Sequence, residues 1–236
     1  MRSTMNAQTG TSKTLKLYRT PEHQCSYREN QLARTVFIEP NTHITPKINS
    51  ELSEVGFRRS GSHIYRPDCK TCKACVPCRI DVKNFQWSSR FKRVWRKNQD
   101  LKIAEVETLD DQESIQLYQN YIASKHRDGD MYPATPEQFQ DFIAIRTPST
   151  KFIKIRYHDT LCAVSIVDYL EIGLSAVYTY YGLSLYNGLF FLLSAPWNFI
   201  GKISKYTILV SLDAKILEPF NAASFYSSSS SRHRPL

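Results

Sequence analysis

KFIKIRY (residues 151–157), LCAVSIVDYL (161–170) and LSAVYTYY (174–181) are the three runs that decide the fold of the second half of this chain. Each run is rich in β-branched and aromatic residues, and short turns separate them, which is typical of consecutive strands. Their spacing predicts an antiparallel meander. Two runs with helical periodicity precede it, at residues 110–125 and 136–145. The second half is therefore expected to combine helices with a sheet.

The first hundred residues predict shorter elements. Residues 34–38 alternate as a strand, residues 47–55 have the pattern of a helix, and residues 57–66 predict a hairpin. With 236 residues the chain is long enough for one large domain or two small ones. We therefore expect an α+β fold in two domains, residues 1–100 and residues 101–236.

The composition is that of a globular protein with a basic surface. Hydrophobic residues make up 42% of the chain, and 31 Lys and Arg residues against 22 Asp and Glu residues give a net charge of +9. Such an excess favours a polyanionic partner, with nucleic acid ahead of a membrane. The polar start of the chain, residues 1–12, lacks the apolar core of a secretory signal, which predicts a cytoplasmic protein.

Residues 172–201 form the stretch that could suggest a membrane. It contains no charged residue, yet Gly182, Pro196 and Asn198 interrupt it, and it holds no clean run of about 20 apolar residues. We therefore expect a buried strand and helix here, with no membrane partner. Attachment to a membrane through this stretch is the alternative.

Cysteine is the residue that most clearly indicates chemistry in the first half. Four cysteines recur at every third position: Cys69, Cys72, Cys75 and Cys78. Two intervening residues let neighbouring thiolates turn towards one metal centre. Cys25 is a candidate for a distant further ligand, and the run resembles iron–sulfur sequences more than zinc fingers, although spacing leaves both metals open. Cys162 lies in an apolar strand and is expected to be a core residue.

A basic stretch follows the cysteines. Between residues 83 and 102 the cations are Lys83, Arg90, Lys92, Arg93, Arg96, Lys97 and Lys102. Aromatic side chains are interleaved with them, a pattern that suits phosphate pairing with aromatic support. On the helix predicted for residues 90–100, Arg93 and Lys97 share one face and Arg90 lies a turn earlier. We expect this helix to contact nucleic acid; the alternative is a solvated helix face whose aromatic residues belong to the core.

Several motifs together carry a family resemblance. In chain order they are QCSY (24–27), QLART (31–35), LSEVGFRRSG (52–61), YRPDCKTCKACVP (65–77), YIASKHRDGDM (121–131) and GLSAVYTYY (173–181). They resemble the arginyl-tRNA–protein transferase family, and within it the bacterial aspartate/glutamate leucyltransferase branch. The resemblance covers residues 14–181, and the order of several independent motifs makes it specific.

The resemblance implies an enzyme, an aminoacyltransferase that takes leucine, or arginine, from charged tRNA. Its acceptors would be proteins with N-terminal Asp or Glu, which the added residue marks for degradation through the N-degron (N-end rule) pathway. The second domain would have an acetyltransferase-like (GNAT) fold. A non-catalytic RNA-binding or metal-sensing protein is the alternative.

The resemblance also concerns the cysteines. Cys25, Cys69, Cys72 and Cys75 match the family's pattern, whereas Cys78 falls outside it. Relatives have been associated with metal or iron–sulfur binding, so zinc or an iron–sulfur cluster is expected at these four positions. No organic cofactor is implied.

Transfer of an aminoacyl group requires a base for the acceptor's α-amine, a donor for the oxyanion and a cation for the acceptor's carboxylate. The candidate catalytic residues are His126, Asp128, Asp130 and Tyr178, and the candidate substrate-binding residues are Arg58, Arg59, Arg90, Arg93 and Lys97. The first three form a polar group on a Gly-containing loop, which is alternatively a simple turn. The Tyr178 hydroxyl is a candidate donor or a packing group, and the two adjacent arginines suit a carboxylate by bidentate pairing.

The chain departs from the family after Tyr181. An Arg-Ser-Leu-Gly helix start and a Tyr-Leu-Gly-Tyr-Trp-Ile strand are expected there, but the chain continues as GLSLYNGL (182–189) and reaches a serine tract, residues 227–231. We interpret this as a frameshift in the coding sequence shortly after Tyr181. The acyltransferase domain is then expected to be incomplete and its activity impaired.

Overall fold

The computed structural model describes residues 15–80, 86–171, 173–182 and 207–210. At residues 78–80, 90, 91, 94, 95 and 207–210 it describes the backbone alone. Most of the uncharged stretch 172–201 and the serine tract lie outside the described residues. Within the described ranges, no helix combines the length and the apolar character that crossing a membrane requires.

Short antiparallel strands build the first sheet. Their bounds are Leu17–Arg19 (β1), Thr35–Ile38 (β4), Arg58–Ser60 (β5) and His63–Pro67 (β6), and a separate hairpin pairs His23–Gln24 (β2) with Leu32–Ala33 (β3). In space the order is β1–β4–β6–β5. Helix α1, Pro46–Glu54, contributes Leu52 to a core shared with Ile64. The predicted strand, helix and hairpin of this half are confirmed.

A six-stranded sheet forms most of the second half. Its strands are Cys78–Ile80 (β7), Leu101–Val106 (β8), Thr150–Tyr157 (β9), Thr160–Tyr169 (β10), Gly173–Tyr181 (β11) and Thr207–Val210 (β12). In space the order is β7–β12–β11–β10–β9–β8. Strands β8 to β11 pair antiparallel, which confirms the meander, and β12 pairs parallel with β11. The four-stranded and six-stranded sheets, with separate helices, confirm the α+β class.

Strand pairing and contacts join residues on the two sides of residue 100. Strand β7 belongs to the first hundred residues, yet it pairs antiparallel with β12 in the second sheet. The β5–β6 hairpin of the first sheet also contacts β11. The two sheets are therefore packed against each other.

Helix α3 spans Gln112–Lys125 and packs on the second sheet. Ile115, Tyr118 and Ile122 are buried on one face, as their helical spacing predicts. They join Phe152 of β9 and other side chains of the sheet in the largest hydrophobic core. This core fixes α3, and with it the loop that begins at its C-terminus.

The helix predicted at residues 136–145 is confirmed, but most of it is π-helical. Helix α4 covers Pro136–Gln138, and the chain then widens into a π-helical turn, Phe139–Ile143. The Ala144 N–H donates to the Phe139 carbonyl at 2.9 Å, which is the five-residue spacing of a π turn. Both ends of this turn are buried in the core, and such tertiary packing outweighs the local preference for an α-helix.

Asp111 caps the N-terminus of α3. Its Oδ1 accepts a hydrogen bond from the Ser114 N–H at 3.0 Å, and the Lys154 ammonium donates to Oδ2. Burial raises the pKa of the Asp111 carboxyl, but the bonds from Lys154 and Ser114 outweigh that effect, so the pKa lies below its ordinary value. Ionised Asp111 therefore stabilises the fold above the unfolded-state pKa of about 3.9, and this stability is lost as the pH falls through the depressed folded pKa.

Asp111→Asn keeps a capping oxygen and removes the charge. We expect the free energy of unfolding, measured with urea at a series of pH values, to fall less steeply below about pH 4 in this variant than in the unaltered chain. Asp159→Asn, at an exposed turn, is the control and should keep the original slope. An unchanged acid slope in Asp111→Asn would contradict this account of the cap.

Candidate functional site

A cavity of about 280 Å³ in the first half brings the predicted cysteines together. Cys25 lies in the loop of the β2–β3 hairpin, where its N–H donates across the loop to a carbonyl at 2.9 Å. Cys69, Cys72 and Cys75 lie in the loop after β6. All four are half-buried and line this one cavity, whereas the side chain of Cys78 lies outside the described residues.

The cavity favours negative charge on the Cys72 sulfur. A backbone hydrogen bond from Ala74 lowers the pKa of the Cys72 thiol, and a hydrogen bond from Arg28 lowers it further. The Arg28 Nη1 lies 3.9 Å from the Cys72 Sγ. Among the described residues, no three His, Cys, Asp or Glu side chains converge closely enough to share one metal ion.

Cations surround the same cavity. Arg28, Arg34, Arg58 and Lys73 all contribute to its lining. The Arg34 guanidinium is held by Asp68, with its Nη2 3.2 Å from the carboxylate. Arg58 reaches the cavity from β5 and is half-buried. The resulting positive potential can hold an anion such as a carboxylate.

The structure corrects the predicted role of Arg59. Successive residues of a strand point to opposite faces, and β5 directs Arg59 towards the second sheet. Its Nε donates to Asp168 Oδ2 at 2.7 Å, and its Nη2 donates to Oδ1 at 2.8 Å. The side chains of Arg59 and Asp168 are 4% and 2% exposed. A guanidinium that is paired and buried in this way is not available to an acceptor.

Tyr121, Tyr178, Tyr181 and His126 form a second feature, called here the tyrosine group, where α3 meets β11. The Tyr121 ring centroid lies 5.1 Å from that of Tyr181 and 6.5 Å from that of Tyr178. His126 Nε2 lies 3.2 Å from the Tyr121 hydroxyl, and the imidazole tautomer decides which of them donates.

The hydroxyls of Tyr121 and Tyr178 stay protonated. Burial, aided by the nearby Tyr181, raises the pKa of Tyr121 to about 12. Burial raises the pKa of Tyr178 still further. Both side chains therefore remain neutral at physiological pH and can donate hydrogen bonds.

Asp128 and Asp130 lie on the turn that follows α3. The Gly129 N–H donates to the His126 carbonyl at 3.0 Å and closes this turn. Both carboxylates are exposed. Of the three predicted catalytic residues on the loop, His126 is the one with a described contact to Tyr121.

Helix α2, Ser89–Lys97, is the predicted basic helix. The side chains of Arg93 and Lys97 are exposed on it, as are those of Lys92 and Arg96. The side chain of Arg90 lies outside the described part of the chain. The helix therefore presents a row of cations to solvent, as a phosphate-binding surface requires.

Tyr121 and Arg28 are site residues that the sequence analysis did not single out. Tyr121 precedes His126 by five residues, a spacing that does not place two side chains on one face of a helix. Their contact depends on the non-helical backbone of His126 at the C-terminal end of α3. Arg28 follows Cys25 in a loop without periodicity, so its contact with Cys72 emerges from the fold alone.

Two family models match the chain. The N-terminal model of arginine-tRNA-protein transferase matches residues 23–93, and the C-terminal model matches residues 113–188. The first match contains the cysteine cavity, and the second contains the tyrosine group and extends beyond Tyr181. Both indicate a protein transferase that depends on tRNA.

Individual relatives agree with the match to these two family models. An aspartate/glutamate leucyltransferase of Teredinibacter turnerae is 48% identical over 168 residues, which cover 71% of this chain and 69% of that protein. One of Pseudomonas fluorescens is 44% identical over 167 residues, 71% of each chain. The chain therefore belongs to the arginine-tRNA-protein transferase family and is an aminoacyltransferase by descent.

One solved structure is similar to the chain over part of its length. It is an aminoglycoside acetyltransferase from an uncultured soil metagenomic sample. The match spans 59% of this chain and 93% of that structure. The TM-score is 0.38 and the sequence identity is 12%.

Proposed function

We propose that this chain transfers leucine from leucyl-tRNA to the α-amine of proteins whose first residue is Asp or Glu. One observation supports it above the others: a chain of this family carries a cavity lined by cysteines and arginines in its first half and neutral tyrosine hydroxyls in its second half. The added leucine would mark the acceptor for degradation by the N-degron pathway. Because charged tRNA is a cytoplasmic substrate, we place the protein there.

The reaction is aminolysis of an ester that is already activated. The acceptor nitrogen attacks the leucyl carbonyl carbon, an amide bond forms, and the ester bond to the tRNA ribose oxygen breaks. The amine loses one proton and the ribose oxygen gains one, so no oxidant or covalent enzyme intermediate is needed. The protein has to align the two substrates, move the proton and stabilise the oxyanion.

His126 is the proposed base. The α-amine of a peptide has a pKa of about 8 in water, so much of the acceptor is protonated at neutral pH, and a neutral imidazole can accept its proton. Tyr121, 3.2 Å from His126 Nε2, would orient the ring. Tyr178 is the proposed oxyanion donor because its hydroxyl stays neutral. Asp128 and Asp130 would attract the ammonium group to the loop.

Arg58 is proposed to bind the side-chain carboxylate of the acceptor's first residue. Its guanidinium lines the cavity and is half-buried, and partial burial strengthens a charged hydrogen bond. An acceptor that begins with Asn or Gln would lose the ion pair. Acidic selectivity would follow from this difference.

The exposed face of α2 is the proposed tRNA surface. Arg93 and Lys97 lie one helical turn apart and face solvent, and Arg90 is the third candidate from the same helix. Contacts of this kind bind the phosphate backbone without reading its sequence. Binding through them would weaken as the salt concentration rises.

We propose that Cys25, Cys69, Cys72 and Cys75 hold an iron–sulfur cluster. They line one cavity, and their C-x2-C-x2-C spacing resembles iron–sulfur sequences more than zinc fingers. Cysteine thiolates are the ligands that such a cluster takes. When bound, it would cross-link the β2–β3 loop to the loop after β6. The transfer itself uses no electron from it.

Cys72→Ser should reduce the iron and sulfide bound per chain to background, because a serine hydroxyl is a poor ligand for such a cluster. The measurement is metal and sulfide analysis of protein purified without oxygen. Cys162→Ser is the matched control, since Cys162 is buried in the second sheet, and it should keep the full metal content. Zinc in place of iron would contradict the proposal of an iron–sulfur cluster. Equal metal content in both variants would contradict a metal site at these cysteines.

A substrate series tests the function. The purified chain is mixed with leucyl-tRNA or arginyl-tRNA and with peptides that begin with Asp, Glu, Asn or Ala. We expect leucine on the Asp and Glu peptides alone. Arg58→Met should raise the KM of those peptides and leave the KM of leucyl-tRNA unchanged. Equal transfer to the Asn peptide would contradict the role of Arg58.

A further inference from the structure

A buried contact joins the first sheet to the second. Besides its two bonds to Asp168, the Arg59 guanidinium donates through Nη1 to the Gly61 carbonyl at 2.9 Å and through Nη2 to Thr150 Oγ1 at 3.1 Å. The Thr150 hydroxyl in turn donates to Asp168 Oδ1 at 2.9 Å. Four of the five N–H donors of Arg59 and both oxygens of Asp168 are thus hydrogen-bonded inside the protein. Arg59 and Asp168 are 109 residues apart in sequence.

Two further contacts lie in the same junction. The Glu171 N–H, two residues after the end of β10, donates to Ser50 Oγ of α1 at 2.8 Å. Gly61, at the turn of the β5–β6 hairpin, has φ +56° and lies so close to Phe142 that a Cβ would approach the ring to 3.1 Å. The junction is therefore a specific fit and not a loose contact between two sheets.

The junction connects both parts of the candidate site. On one side Arg58, the neighbour of Arg59 in β5, lines the cysteine cavity. On the other side Phe142 packs edge-on against Tyr178, with ring centroids 6.5 Å apart. Any displacement of β5 therefore changes the position of Arg58 relative to Tyr178.

We propose that Arg59 and Asp168 are positioning residues that hold the acceptor-binding cavity in register with the tyrosine group. This inference rests on the proposed function. Neither side chain touches a substrate. Their pair fixes the distance between the acceptor's amine and the leucyl ester, which must meet within about 3.5 Å for attack, and a misplacement of about 1 Å costs on the order of 10²-fold in rate.

Arg59→Lys tests the proposal because it keeps the charge and removes the forked geometry. We expect kcat for leucyl transfer to fall on the order of 10²-fold, with little change in the KM of leucyl-tRNA or of the Asp peptide. Leu52→Ala, in the core of the first sheet, is the control for destabilisation alone. At a temperature where both variants are folded it should keep its kcat.

Two kinetic outcomes would overturn the proposal: a kcat in Arg59→Lys no lower than in Leu52→Ala, or a raised peptide KM with kcat intact, which would make Arg59 a binding residue. Hydrogen exchange gives a reading that does not depend on activity. Arg59→Lys should speed amide exchange in the β5–β6 hairpin and around Thr150. Unchanged exchange would refute the claim that Arg59 holds the first sheet to the second. Absence of transfer by the unaltered chain would instead refute the proposed function.

Discussion

Replacing His126 with alanine should slow leucyl transfer about 10²- to 10⁴-fold, the usual contribution of a positioned general base. The loss should fall on kcat, because the imidazole acts on the amine after both substrates are bound. Binding of leucyl-tRNA should be unchanged, since α2 carries the proposed tRNA contacts. Transfer is measured with a saturating Asp peptide, and tRNA binding is measured separately by filter retention.

The contact with Tyr121 provides a second arm of this test. Tyr121→Phe removes the hydroxyl that lies 3.2 Å from His126 Nε2 and should cause a smaller loss of kcat than His126→Ala. When both changes are combined, the rate should not fall much below that of His126→Ala, because the two groups act together. His43→Ala, at an exposed position in the first half, should leave the rate unchanged. Full activity of His126→Ala would exclude it as the base.

Asp168→Ala should lower the free energy of unfolding by about 3–5 kcal/mol, the cost of leaving a buried charge without its partner. The Arg59 side chain is 4% exposed, so water cannot replace the lost carboxylate without opening the junction. Urea unfolding at neutral pH measures this loss. Lys151→Ala, which breaks exposed ion pairs with Glu105 and Glu107, should cost far less because water replaces the lost partner.

The paired replacement Arg59→Met with Asp168→Leu separates stability from positioning. Apolar side chains of similar size can replace a buried ion pair with little or no loss of stability, so we expect this double variant to be much more stable than Asp168→Ala. Its kcat should nevertheless stay low if the forked pair sets the register of the two sheets. A double variant as unstable as Asp168→Ala would contradict the energetic account of the junction.

Local patterns predicted much of the fold. The meander of β9 to β11 follows from strand periodicity and short turns, and α3 follows from its apolar spacing. The π-helical turn at Phe139–Ile143 was not predictable, because tertiary packing decides it. The same holds for β7 and β12, whose pairing joins residues far apart in sequence.

The candidate site, too, was predictable only in part. Spacing and family resemblance grouped the four cysteines, and the structure finds them around one cavity. Alternation along β5 implies that Arg58 and Arg59 face opposite sides, but it does not say which side holds the cavity. That assignment needs Asp168, which lies 109 residues away. The interpretation of the sequence after Tyr181 as a frameshift stays a prediction that translation of the neighbouring frames can test.

The most direct test of the central claim is the mass of an acceptor peptide after incubation with this chain and leucyl-tRNA. We predict that a peptide beginning with Asp gains one leucyl residue at its α-amine while the tRNA loses its ester. Binding of leucyl-tRNA without any gain in peptide mass would contradict the claim and favour an RNA-binding protein without catalytic activity.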